Sequence, residues 1–173
     1  MDSPLSLLVH SHGCQEKTMM LLDWAALKHF QKYGTSDKWG DPDKLDAMLL
    51  MKVDDLRDSI GQPIHVTSGY RSGDTKEHGR GLALDIVCPG ISLLDFWIEA
   101  ERYAFPGLGV YSHWHWDGMV TGGLHVDQRM LGLRIGSHDT EFRGKRWFAF
   151  KNENGVQVYT TLTKENLKKW GVL

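Results

Sequence analysis

Cysteine is scarce in this 173-residue chain: Cys14 and Cys88 lie far apart and form no C-x-x-C pair. That argues against a paired-cysteine metal knuckle and a disulfide-stapled scaffold; a single Cys14–Cys88 bridge stays open, and a reducing compartment suits the count equally. Charge imbalance is missing too. Twenty Lys and Arg face 22 Asp and Glu, a formal net charge of -2, so a sequence-independent grip on nucleic acid is not expected. The small basic clusters, Arg143 to Arg146 and Lys164 to Lys169, read as solvated surface. No apolar run approaches the roughly 18 residues of a membrane span. The opening MDSPLSLLVHSHGC has a short apolar run and no basic n-region. It reads poorly as a secretion signal, so the chain is expected to start in the cytosol. Repeats, low-complexity tracts and linkers are also lacking, which predicts one domain over 1–173, with a monomer as the expected state.

Histidine and tryptophan, in contrast, are plentiful, at nine and seven residues. His65, His78, His113, His115 and His125 crowd the middle third. Around them the periodicity changes along the chain. Met20, Trp24, Leu27 and Phe30 recur at helical spacing and predict a helix from about Lys17 to Tyr33, stopped by Gly34. A second helix is expected with Asp41 as cap, Pro42 at its first position and Gly61 at its end. Leu45, Met48, Leu49, Leu56 and Ile60 would form its buried stripe. After Pro63 short strands are expected: one around Ile64 and Val66 that runs into SGYRS, then LALDIV, GLGVY and LHVDQR. Ser92 caps a third helix, SLLDFWIEAERYAF, between the second and third of these strands. RWFAFKN and GVQVYTT read as a hairpin, and a short helix near Lys164 to Trp170 follows. The sum is an α+β fold, an antiparallel sheet with helices packed on one face.

The chemistry gathers in two of these strands. In EHGRGLALDI, His78 and Asp85 lie seven positions apart, with Gly79 and Gly81 in a loop between them. Asp85 shares a strand face with Ala83 and is flanked by Leu84 and Ile86. A carboxylate so poorly solvated needs a cation, a cluster of donors or a metal. In LHVDQR, His125 and Asp127 are two apart and project from one face. Taken singly, a strand histidine is usually structural, and a buried aspartate usually binds Arg or backbone amides. Together, two such strands side by side would aim two histidines and a carboxylate at one point. That is the three-ligand set of a catalytic zinc site with one open position.

VTSGYRS, then H78-x-x-G-x-A-x-D85, GLGVY and LHVDQR resemble the zinc D-Ala-D-Ala carboxypeptidase and L,D-endopeptidase family, the M15 peptidases, and within it the branch whose last motif reads H-V-D. The resemblance covers about residues 45–147. It leaves out the first forty residues and the C-terminal hairpin. It implies a hedgehog/D-Ala-D-Ala-peptidase-like fold, and a zinc ion held by His78, Asp85 and His125. It also implies an arginine, Arg71, that faces substrate and stabilises the oxyanion. Ser68 and Tyr70 would support its loop. The implied reaction is hydrolysis of an amide in peptidoglycan stem peptides, of D,D-carboxypeptidase or L,D-endopeptidase type. A phage endolysin that waits in the cytosol for release fits this pattern.

One departure bears on mechanism. Many family members carry Glu or Asp as general base three residues before the last ligand; here that position is Gly122. Asp127 is the first substitute as base, and its rival role is to hold a ligand histidine in one tautomer. His115 and Asp117, in the loop SHWHWDG, are further candidates, ahead of His113. That loop could wall a cleft or form a packed aromatic plug. The missing acid also keeps a different class open: a non-catalytic zinc-containing binding or virion structural module on the same scaffold.

Overall fold

The computed structural model describes residues 23–129, 144–169 and 171–173. Cys14, the first part of the expected N-terminal helix, Arg143 and Trp170 lie outside the described residues. The sheet elements are β1 (His65–Ser68), β2 (Ala83–Val87), β3 (Gly107–Tyr111), β6 (Gly123–Asp127), β7 (Lys145–Lys151) and β8 (Gln157–Thr160). They form one six-stranded sheet in the order β1-β2-β6-β3-β7-β8. A separate two-stranded hairpin, β4 (His115–Trp116) with β5 (Met119–Val120), stands between β3 and β6 in sequence. The helices are α1 (Ala47–Ile60), α2 (Leu93–Glu101) and α3 (Lys164–Lys169). The α+β architecture stands as expected, with one difference. The sheet is antiparallel throughout except that β3 and β7 pair in parallel.

Strand periodicity sorts the side chains into two sets. Cross-strand partners run in rows, and one row reads Ile86, Leu124, Val110, Phe148 across β2, β6, β3 and β7. These four are fully buried and share a core with Leu49, Leu50, Val53 and Leu56 of α1, Phe96 and Ala100 of α2, and Leu167 of α3. The helices therefore cover this face. Each buried Leu, Ile or Phe is worth roughly 1.5–3 kcal/mol. The next row, on the opposite face, reads Asp85, His125, Gly109, Trp147. The fold thus lays the candidate ligands side by side on the face the helices leave free.

Local chemistry sets the element ends. The Asp46 carboxylate caps α1 by accepting from Leu49 N (2.9 Å), and Gly61, at φ 65, closes it in the left-handed conformation. Ser92 caps α2 through Asp95 N (3.1 Å). Asp41 and Pro42, expected to open the second helix, instead build a separate 3-10 turn, Pro42–Lys44. The chain extends again at Leu45, and Asp46 starts the helix afresh, its N–H bonded to Gly81 O at 2.9 Å. Met48, expected in the buried stripe, is 55% exposed, and Leu50 and Val53 bury instead.

The expected helix to Tyr33 is not formed in its described part. A single 3-10 turn, Trp24–Ala26, is followed by irregular chain. The competing bond is tertiary. The buried Asp54 of α1 accepts the backbone N–H of Lys28 (2.8 Å) and of His29 (2.9 Å), donors that a helix would spend on its own carbonyls. Trp24 and Phe30 still find the core, meeting Trp39 edge-on at 5.3 and 5.4 Å.

Candidate metal centre

Three elements bring the cluster together. His78 opens a 3-10 turn, His78–Arg80, that ends at Gly81 in the left-handed conformation (φ 71). Asp85 sits mid-strand in β2, directly opposite His125 of β6. All three are buried. Their facing atoms form a small triangle: His78 Nε2 to Asp85 Oδ1 3.3 Å, His78 Nε2 to His125 Nδ1 3.3 Å, His125 Nδ1 to Asp85 Oδ1 2.8 Å.

The far side of each ring decides what the near side offers. His78 Nδ1–H donates to Gly69 O at 2.7 Å, which leaves Nε2 with its lone pair towards the cluster. His125 Nε2–H donates to Asp127 Oδ2 at 3.1 Å, which leaves Nδ1 with its lone pair. Two imidazole lone pairs and a carboxylate oxygen therefore converge in a buried spot. Such a set of acceptors calls for a cation between them. The spacing fits one: donors bonded at about 2.0–2.1 Å to a tetrahedral ion lie roughly 3.3 Å apart. The donor chemistry and geometry fit a metal ion, held by His78 Nε2, Asp85 Oδ1 and His125 Nδ1.

The surroundings hold this geometry. Burial pushes the Asp85 carboxyl up, but the His125 and His78 side chains beside it outweigh burial and hold it well below the usual carboxylate range. Burial pushes His125 down, and Asp127 and Asp85 more than reverse that, so its basicity is raised. The second oxygen of Asp85 pairs with Arg71, whose Nε donates to Ser68 Oγ at 2.7 Å. A bulge between Val66 and Ser68 swings Ser68 opposite Asp85 and makes that chain of contacts possible. Tyr70 supports the same loop, stacked under Lys44 with its N–H on Trp39 O.

Asp127 lies fully buried, two rows from the cluster on the same face. Its Oδ1 accepts Arg129 N (3.1 Å) and Nε (2.8 Å), and its Oδ2 accepts His125 and a second Arg129 nitrogen. Burial pushes its carboxyl up, yet Arg129 and His125 hold it well below the usual range. Gly107 faces Asp127 across the strands, and a Cβ there would run into the carboxylate. Gly109 leaves the room that the Trp147 ring fills. Trp147 lies 5.3 Å from the His125 ring and from the Arg129 guanidinium, and its Nε1 donates to Tyr111 Oη at 3.1 Å. Arg129, Tyr111 and Trp147 were not singled out from sequence. Arg129 carried a signal, two residues beyond Asp127 on the same strand parity; Trp147 comes in only through the parallel β3–β7 pairing.

Above the cluster opens a cleft of about 1030 Å³. Thr67, Ser68, Arg71, Asp74, Lys76 and Glu77 form one side; Tyr111, Trp114, His115, Trp147, Gln157 and Tyr159 form the other. The SHWHWDG loop is thus a cleft wall. His115 is exposed there, and Trp116 turns away to stack on His65 (4.2 Å, 16°). Asp117 and Gly118, both at positive φ, make the tight turn of β4–β5. Gly122 sits at φ 66 with its missing Cβ directed at Leu93, so an acid three residues before His125 would be both strained and crowded.

A model of the peptidase M15 family matches residues 28–117, just over half of the 173-residue chain. The chain belongs to this family. An M15 chain is by kind a peptidase, a hydrolase of a family that is typically metal-dependent, and the buried His-Asp-His set agrees with that. No curated protein and no solved structure matches this M15 chain. The match takes in His78, Asp85 and Arg71 and ends before His125 and the β7–β8 strands. Among the described helices of this M15 chain, none is long and apolar enough to cross a membrane.

Proposed function

We propose that this chain is a zinc peptidase that hydrolyses an amide bond in peptidoglycan stem peptides. The observation that carries the reading is the triangle of lone pairs from His78, Asp85 and His125, buried yet open on one side to a peptide-sized cleft. Zinc suits two imidazoles and one carboxylate in tetrahedral geometry. When bound, the ion supplies Lewis-acid polarisation of a scissile carbonyl and lowers the pKa of an attacking water.

The chain's own residues do the rest. Arg71, with its side chain 46% exposed in the cleft, offers charge to the developing oxyanion while it pairs with Asp85. Asp127 fixes the His125 tautomer. With both oxygens occupied and no exposure, it is not placed to take a proton from water in the cleft, and of its two proposed roles the holding role is the better supported. The proton falls to a cleft group: His115 on the hairpin, or Glu77 beside His78, whose carboxylate has no hydrogen-bond partner among the described residues. A single unit of this kind, made in the cytosol and released onto the wall, would serve as a lysis enzyme of the endolysin type.

Purified peptidoglycan incubated with zinc-loaded protein should release peptide fragments whose masses identify the bond. His115→Ala and Glu77→Gln should separate the two proton acceptors, the true one losing turnover at unchanged zinc content. An intact wall after long incubation with a zinc-loaded protein would favour the binding-module reading, which the acid-free Gly122 position supports.

A further inference from the structure

The two sides of the cleft differ in chemistry. The 67–77 side carries Arg71, Lys76, Asp74 and Glu77, groups suited to the charges and amides of a peptide. The opposite side carries rings. Tyr111 is buried and stacks face to face on Trp114 (4.2 Å, 19°), and Tyr159 meets Tyr111 edge-on at 6.3 Å. Tyr159 is itself 60% exposed, so its flat ring faces outward at the cleft margin.

That ring is fixed by polar contacts. His113 Nε2–H donates to Gln157 Oε1 at 2.9 Å, and the Gln157 amide donates to the Tyr159 hydroxyl. The Tyr159 hydroxyl also meets that of Tyr111, and the second Gln157 N–H has no hydrogen-bond partner among the described residues. A flat exposed ring beside an amide and a hydroxyl matches one ligand shape well. A pyranose has an apolar face of axial C–H bonds and a perimeter of hydroxyl and acetamido groups; the face lies on the ring and the perimeter hydrogen-bonds at its edge. A second peptide strand would instead look for unpaired backbone along β8.

Gln157 and Tyr159 belong to β8, the outer strand of the sheet, and Trp147 to β7. Both strands lie beyond the part that matches the family model. The wall thus joins Tyr111 and Trp114, inside the match, to Trp147, Gln157 and Tyr159 beyond it, and is continuous with the cleft that holds the metal ligands.

We infer that Tyr159 and Gln157, backed by Tyr111 and Trp114, form a saccharide subsite for an N-acetylated hexosamine, so that the enzyme takes stem peptides still attached to their glycan. This rests on the peptidase reading for the identity of the peptide, and not for the sugar contact itself.

The test is calorimetric titration of the zinc-loaded full chain with a β-1,4-linked N-acetylglucosamine trimer. Wild type should bind with millimolar affinity. Tyr159→Ala should weaken binding by about tenfold or more, the usual weight of one lost ring contact. Tyr159→Phe should stay within about threefold, because the stacking face remains. Tyr33→Ala, removing an aromatic that is 68% exposed but remote from the cleft wall, should bind like wild type. No heat of binding for wild type, or unchanged binding by a folded Tyr159→Ala, overturns the subsite. Wall digestion without trimer binding sinks the subsite and keeps the peptidase; trimer binding without wall digestion does the reverse.

Discussion

The two faces of the sheet are made from the same strands and do opposite work. On the helix face, Leu84, Ile86, Leu124, Val126 and Phe148 are fully buried apolar groups. One residue along each strand, the other face carries Asp85, His125, Asp127, Gly107, Gly109 and Trp147. The first set lowers the free energy of the fold by burial. The second costs free energy: buried acceptors converge, and two glycines give up side chains to make room. The strands can carry the second set because the first set is so complete. A single-residue slip of register would exchange the two, so the metal site and the core fix each other's alignment.

Substitutions should separate the two faces. The largest effect is expected from Asp85→Asn. Zinc content, near one ion per chain by metal analysis in wild type, should fall to almost none, with wall digestion lost. The metal-free protein should melt lower as well, because the fold holds Asp85 ionised and Arg71 loses its carboxylate partner. An Asp85→Asn protein that keeps its zinc would break the comparison. Leu124→Ala, the neighbour of His125 on the other face, should cost about 2–5 kcal/mol in urea unfolding. The protein that stays folded should bind zinc as before. Asp127→Asn should lower zinc affinity by about 10–100-fold in chelator competition, with activity returning at saturating zinc. Activity that stays lost at saturating zinc would return Asp127 to the role of base. The smallest effect belongs to Met48→Ser: at an exposed position it should stay within about 0.5 kcal/mol of wild type.

Much of this division was legible in the sequence, because strand periodicity is strict. Once LALDIV and LHVDQR are strands, Asp85 must part from Leu84, and His125 must share a face with Asp127. The site's outer contacts were less legible, since they depend on register and pairing between distant segments. Trp147 reaches His125 only because β7 lies parallel to β3. The β4–β5 hairpin did have a local signal, Asp117-Gly118 between two short runs, that the aromatic residues around it obscured. At the N-terminal side, apolar spacing pointed to a helix, and spacing cannot see that a carboxylate 26 residues away takes the Lys28 N–H. The expected helix that is not formed in residues 23–33 and the two separate caps at Asp41 and Asp46 share this cause: side-chain acceptors took backbone donors.

The Asp54 clamp has a practical consequence for anyone shortening the protein. Segment 28–29 holds no regular structure and would be an obvious place to trim. Yet cutting there would strip both amide partners from an acid sealed inside α1, and would uncover the side of Trp39 on which Phe30 rests. Residues 28–30 are better regarded as a plug for the first helix than as dispensable chain.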